Sequence, residues 1–248
     1  MPTDVTVFSP HLDDGVLSAS ARLMQPGAQL VTVLSGGPPP DLDVTRWGRL
    51  TRAASMAQRH AERLAEDDRA VAILGCASVR LGEPEEEFRD AELDRERLIR
   101  RVEPLVEAAG QVWAPSAVGG NRDHRAVRDA VLSACRRVGR EHEVFLFADL
   151  PYSIEYGWPE WVTGEANGEF LDADYWLHSE LTGRGLDPEQ MDAQVIELSP
   201  DDRARKEQAV LCYASQLPAL GLGANEPARW RWVLSYELTW QLRSLPAL

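Results

Sequence analysis

The stretch Val5-Thr6-Val7-Phe8-Ser9-Pro10-His11-Leu12-Asp13-Asp14-Gly15 decides the fold. Its first half is β-branched and apolar, the composition of a short buried strand, and Pro10 ends the ladder because proline has no N–H to give it. A histidine and two adjacent carboxylates follow at once. Beyond them Val16, Leu17, Ala19, Leu23 and Met24 recur at helical spacing, so the polar triad is expected at a strand-to-helix turn. In open α/β sheets ligands and catalytic groups collect there, outside the carboxyl end of a strand.

Outward from this stretch, residues 29–34 (Gln-Leu-Val-Thr-Val-Leu) form a second β-rich run, closed by Ser35-Gly36-Gly37 and three prolines. Strand, helix and strand imply a right-handed parallel crossover. The loop over 35–43 reads either as part of a pocket rim or as an ordinary surface loop. Residues 44–74 read as one long or broken helix closing on Gly75, 78–81 as a short strand, and the acidic run 83–87 as a solvated loop. Residues 92–109 are expected to be helical, with a kink or break at Pro104. Val112-Trp113-Ala114 is a strand stopped by Pro115. A second polar cluster then follows, Gly119-Gly120-Asn121-Arg122-Asp123-His124, opening a helix from about Arg125 to Val138.

Residues 143–148 are apolar without alternation, as a strand covered on both faces should be. Residues 149–192 are rich in aromatics and glycine, an irregular excursion that either covers substrate or packs on itself. Residues 193–198 read as a strand, and Ser199-Pro200-Asp201-Asp202 as the start of a helix running to about Ala214. Residues 230–242 fit helical spacing and strict alternation equally. The sum is an α/β protein: a Rossmann-like, mostly parallel sheet with helices on both faces, in a single domain over 1–248.

The chain has 26 Lys and Arg against 40 Asp and Glu, a net charge of −14, which disfavours nucleic acid or an anionic membrane face as a partner and leaves a small molecule. Cys76, Cys135 and Cys212 lie far apart with no CxxC pair and read as reduced core residues. There is no basic segment followed by a long apolar stretch at the N-terminus, and no run approaches the ~20 apolar residues of a membrane span. The expected location is the cytoplasm.

A catalytic zinc site has three protein ligands from His, Asp or Glu and leaves a position for water. His11 and Asp14 stand three apart at one strand end and His124 at another, so a His-Asp-His set is able to converge on one ion above the sheet. Asp13 would lie beside it. A carboxylate that does not coordinate but reaches the activated water is a suitable general base. His60, His142 and His178 read as ordinary residues, although His178 falls in the aromatic excursion and is able to enter the pocket.

Pro10-His11-Leu12-Asp13-Asp14 after an N-terminal strand, with Asp123-His124-Arg125-Ala126-Val127 opening a later helix, resembles the PIG-L/LmbE-like family of zinc-dependent N-deacetylases. Residues 63–76 look like the family's helix between these two motifs, while Asp149-Leu150-Pro151-Tyr152 and Lys206 to Gln216, with Tyr213, Ser215 and Gln216, look most like its antibiotic-modifying branch. The resemblance implies one zinc per chain held by His11, Asp14 and His124, with Asp13 as general base. It implies that Arg63 binds sugar hydroxyls, with Asp123, Tyr152 and His178 as further substrate contacts. The implied substrate is a small N-acylated amino sugar or glycoconjugate. Two departures stand out. Gly15 occupies a place where a glutamate is usual, and Asn121 one where many members have a histidine that stabilises or protonates the tetrahedral intermediate. An amide can donate a hydrogen bond to an oxyanion, but it cannot transfer a proton at neutral pH. Two other functions share these residues: amidase action on a thiol conjugate, and metal binding without turnover.

Overall fold

The computed structural model describes residues 3–140, 143–222 and 227–246, and its β-branched and apolar runs pair into one sheet. The strands are β1 (Thr3–Ser9), β2 (Ala28–Thr32), β3 (Ala77–Arg80), β4 (Ala109–Pro115), β5 (Val144–Phe147), β6 (Met191–Glu197) and β7 (Tyr236–Leu242). Their order is β3-β2-β1-β4-β5-β7-β6. The first five run parallel, while β7 is antiparallel to both β5 and β6. From β1 the chain crosses to β2 and β3 on one side, then returns to β4 on the other. The crevice outside the carboxyl ends of β1 and β4 is therefore the point where strand order reverses, and both polar clusters open into it.

The helices are α1 (Asp14–Ser18), α2 (Ser20–Leu23), α3 (Arg46–Leu50), α4 (Met56–Leu74), α5 (Arg95–Ala108), α6 (Arg122–Arg137), α7 (Glu160–Thr163), α8 (Ala173–Gly183), α9 (Pro200–Val210) and α10 (Pro227–Ser235). α5 packs on α6, and α4 on α9, so that helices cover both faces of the sheet. Between them Val7, Phe8, Leu30, Trp113, Leu146 and Phe147 are fully buried. Trp113 and Phe145 stack with ring centroids 4.4 Å apart. This is the Rossmann-like α/β architecture that the unbroken apolar strands imply.

Several boundaries differ from the sequence expectation. The first helix splits at Ala19, whose φ of −140° leaves the helical region. Beside the split Ser20 Oγ donates back to Val16 O, a local bond that bends helices, and Ser18 Oγ accepts from Leu150 N. Residues 44–74 are broken into α3 and α4, and α4 ends on Gly75 at φ 74° as expected. α5 runs unbroken through Pro104, whereas α9 stops at Val210 instead of Ala214. The two patterns over 230–242 both apply, in succession: α10 up to Ser235, then β7.

The excursion over 149–192 is less irregular than its composition implies, because it holds α7 and α8. Its aromatics divide: Trp158 is buried, Tyr156 meets Trp176 edge-on at 5.4 Å, and Phe170 and Tyr175 are exposed. The three cysteines are unpaired, with Cys135 buried and the other two half-buried. No described helix is long and apolar enough to cross a membrane. His142 lies outside the described residues.

Candidate metal centre

β1 ends at Ser9, and the turn that follows is tied from both sides: Ser9 Oγ donates to His11 O at 2.5 Å and accepts from Gly15 N at 2.8 Å. His11 N in turn donates to Asp14 Oδ2 at 2.8 Å. These bonds fix His11 and Asp14 on one short loop. The glutamate that the resemblance implies at Gly15 would require the neighbouring side chains to shift. A Cβ there would stand 2.6 Å from Leu30 Cδ1 and 3.1 Å from Ser9 Cβ.

After β4 the chain caps α6 with Asn121, whose side chain accepts from Asp123 N at 2.9 Å. The helix starts three residues before Arg125, and that earlier start turns His124 inward, fully buried, in the first turn of α6. His11, Asp14 and His124 each bring one ligand atom to within 4.8 Å of the others. Nδ1 of His11 lies 3.1 Å from Asp14 Oδ2, and Nε2 of His124 lies 3.2 Å from the same oxygen. That His124 nitrogen is buried and has no hydrogen-bond partner. A buried ring nitrogen facing a carboxylate oxygen without a proton bridge is what a metal ligand leaves behind, so these residues fit a divalent ion.

The outward nitrogens are held as well. His124 Nδ1 lies 2.7 Å from Asp149 Oδ1, and His11 Nε2 lies 3.0 Å from Asp123 Oδ2. Carboxylates behind both histidines orient the rings and set which nitrogen faces the ion. Asp149 follows β5 and is itself fixed by Ser116 Oγ at 2.6 Å. Its part in the centre could not be read from the sequence, since only the fold brings the end of β5 next to that of β4.

Charges follow this geometry. Burial pulls the pKa of His124 down, but Asp14 and Asp149 outweigh it and push it up to about 9. His11 behaves alike: Asp123 and Asp14 overcome burial and raise it well above its ordinary value. Asp14 is held well below the carboxylate range by the two histidines, against its burial. Asp123 sits at about 2 because His11 and Arg89 overcome burial. Asp13 is the opposite case. Burial first, then the Asp14 charge, push it up to about 6.

The centre forms the floor of a cavity of about 570 Å³, large enough for a sugar-sized ligand. His11, Asp13, Asp14, Arg63, Asn121, Asp123 and Tyr152 all line it, so the structure brings most of the residues singled out in the sequence together. Arg63 is buried and paired with Glu85 at 2.5 Å. Tyr152 stands edge-on to the His124 ring at 5.7 Å. His178 does not join them; it is exposed on α8. The acidic loop after β3, read as solvated, supplies Glu85, Glu86 and Glu87 to the cavity wall, whereas residues 35–43 do not line it. Gln216, named in the resemblance, also lines the cavity, and Arg46, Trp47 and Leu220 complete the wall without having been singled out individually.

A family profile described as GlcNAc-PI de-N-acetylase, PIG-L, matches residues 6–135. No curated protein matches the sequence. Among solved structures, the antimicrobial reagent A40926 pseudoaglycone deacetylase is 26% identical, with all of both chains covered and a TM-score of 0.69. A zinc-inhibited form of a teicoplanin deacetylase is 23% identical over 96% of this chain and 97% of that one, also at 0.69. The N,N'-diacetylchitobiose deacetylase of Pyrococcus horikoshii is 13% identical over 94% and 76%, at 0.50. The fold is shared with all three, and the matched profile takes in both polar clusters and just over half of the 248 residues: the chain belongs to the PIG-L family.

Proposed function

We propose that this protein is a zinc-dependent hydrolase that removes an N-acyl group, acetyl in the simplest case, from an amino sugar of a specialised metabolite or sugar conjugate. The observation that carries this is the convergence of His11, Asp14 and His124 on the floor of a sugar-sized cavity, with Asp13 beside them. Family membership and the likeness to deacetylases of antibiotic amino sugars support the reaction class. The unpaired cysteines support a reducing, cytoplasmic setting, and one domain over 1–248 carries the whole site.

His11, Asp14 and His124 would hold one zinc ion per chain. When bound, it supplies Lewis acidity, polarising an acyl carbonyl and making water more acidic. Asp13 takes the proton from the attacking water. Burial and the neighbouring Asp14 charge raise the pKa of the Asp13 carboxyl, which makes it the more basic of the two adjacent carboxylates. Asn121 keeps its oxygen on the Asp123 amide and shares a hydrogen bond with Tyr152, and since its NH₂ carries two N–H groups, one serves as donor to the oxyanion. Since Asn121 cannot give up a proton, the protonated Asp13 returns one to the leaving nitrogen. Amide and water thus become amine and carboxylate. Arg63, fixed by Glu85, and Tyr152 bind sugar hydroxyls, and Asp123 acts through His11.

The test is elemental analysis together with acetate release from N-acetyl amino sugars, on wild type and His11→Ala. About one equivalent of zinc with acetate release in wild type, and loss of both in the variant, is expected for a shared three-ligand site. Wild type that takes up no metal after reconstitution would overturn the proposal.

A further inference from the structure

The cavity holds a cation that the protein does not neutralise. Arg63 is matched by Glu85, Asp123 by Arg89 and His11, and Glu86 by Arg122. Arg46 is exposed on the cavity wall and has neither an ion pair nor a side-chain hydrogen bond among the described residues. Glu87 and Asp13 line the same cavity without an ion pair among the described residues, and Glu87 is instead engaged by a hydrogen bond with Thr45, the charges acting most on it being those of Glu85, Arg63 and His11.

Arg46 also stands on a fixed platform. Thr45 caps α3 by accepting from Gly48 N at 3.0 Å, and the Trp47 indole donates to Gln216 Oε1 at 2.8 Å. Arg59 Nη2 donates to Thr51 O at 2.8 Å from α4. Gly48 lies so close to α4 that a Cβ there would stand 2.5 Å from Met56 Sδ. With the backbone held this way, a ligand engaging the guanidinium orders one side chain rather than a loop. In a chain of net charge −14, a lone guanidinium on the wall is a local exception, and its planar fork suits a carboxylate or phosphate. Arg46 comes from α3 rather than from the turns after β1 and β4 that carry His11, Asp13, Asp14 and His124, and it shares no hydrogen bond or ion pair with them, which leaves its guanidinium for a part of the substrate other than the acyl amide.

We infer that Arg46 is a specificity residue, binding an anionic group, carboxylate or phosphate, carried by the conjugate away from the amide that is cut. Trp47 and Leu220 line the same part of the wall and offer it apolar contact. This rests on the N-deacylase proposal for the cavity, and its test separates the two.

Calorimetry on the zinc-loaded protein would use 4-carboxyphenyl, 4-carbamoylphenyl and 4-phosphonophenyl glucosaminides, which carry no acyl group and cannot turn over. The carboxyphenyl or the phosphonophenyl compound, whichever anion is preferred, should bind about tenfold more tightly than the neutral carbamoyl isostere, the scale of one charge-assisted pair. Arg46→Gln should erase that preference. Arg52→Gln, at a guanidinium that does not line this cavity, should keep it. Equal binding of charged and neutral compounds to wild type, or a preference that survives Arg46→Gln, would overturn the inference. Acetate release from the corresponding N-acetyl glycosides reports separately on the reaction. A charge preference without any release would leave the anion subsite standing and remove the deacylase proposal.

Discussion

The buried Nδ1 of His124 lies 2.7 Å from Asp149 Oδ1, while Nε2 of the same ring faces Asp14 Oδ2 at 3.2 Å. One carboxylate therefore stands behind the ring and another beside its ligating edge. Replacing Asp149 by Asn keeps the shape but removes the charge that makes the imidazole a better donor. Zinc affinity of Asp149→Asn, measured by competition with a chromogenic chelator, should fall about 10–100-fold, the usual cost of losing such a partner. An unchanged affinity would show that Asp149 serves only packing.

Asp13 is next to a ligand but contributes no atom to the ligand set. Substituting it should therefore separate chemistry from metal binding. Asp13→Asn is expected to retain about one zinc per chain while acetate release falls about 10²–10⁴-fold, the range for a positioned general base. The variant with metal retained and turnover within a few-fold of wild type would remove Asp13 from the mechanism.

The parts of the protein that were legible in the sequence are those encoded locally. Val5 to Phe8 and Val144 to Phe147 have no polar alternation, and both became strands buried on each face. Gly75 and Ser199-Pro200 marked helix ends correctly, because their backbone preferences act within one turn. The closeness of His11 to Asp14, 3.1 Å between Nδ1 and Oδ2, was legible for the same reason. What depended on tertiary placement was not. Asp149 reaches His124 from just past β5, and Trp47 comes to the cavity wall from α3, and no spacing rule links those places to the two polar clusters. The acidic loop looked solvated because its residue types say nothing of Arg63, Arg97, Arg101 and Arg122, which pair with its carboxylates. His178 failed in the other direction: its aromatic neighbourhood resembled a pocket, but α8 turns it to solvent.

The charges of His124, Asp13 and Asp123 give the metal-free protein a definite pH profile. His124 has its folded pKa raised from 6.5 to about 9, so its contribution to stability is full below 6.5 and is lost as pH rises through about 9. Asp13, raised from 3.8 to about 6, acts in the same sense: its contribution is present below 3.8 and lost as pH rises through about 6. Asp123, lowered to about 2, contributes above 3.8 and loses that contribution as pH falls through about 2. The melting temperature of chelator-treated protein should therefore be highest near pH 4 and decline towards pH 9. Zinc displaces the histidine protons, so the gain in melting temperature on adding it should grow over the same interval. A metal-free protein that becomes more stable between pH 6.5 and 9 would contradict these charge assignments.

Gly119 precedes the Asn121 cap and adopts φ +86°, a conformation that side chains disfavour. A Cβ at this position would also stand 2.6 Å from Tyr152 Cβ and 3.0 Å from its Cγ. Those atoms are near the tyrosine backbone and cannot swing away as the end of a long side chain can. Gly119→Ala should therefore act twice. Backbone strain and the clash together should cost about 1–3 kcal/mol, read as a lower midpoint in urea at unchanged slope. The displaced Tyr152 should weaken substrate binding, so that KM for an N-acetyl amino sugar rises. Tyr152→Phe supplies the comparison, since it removes the hydroxyl without moving the ring. If Gly119→Ala lowers stability but leaves KM unchanged, the close approach of these two residues shapes the fold and not the site.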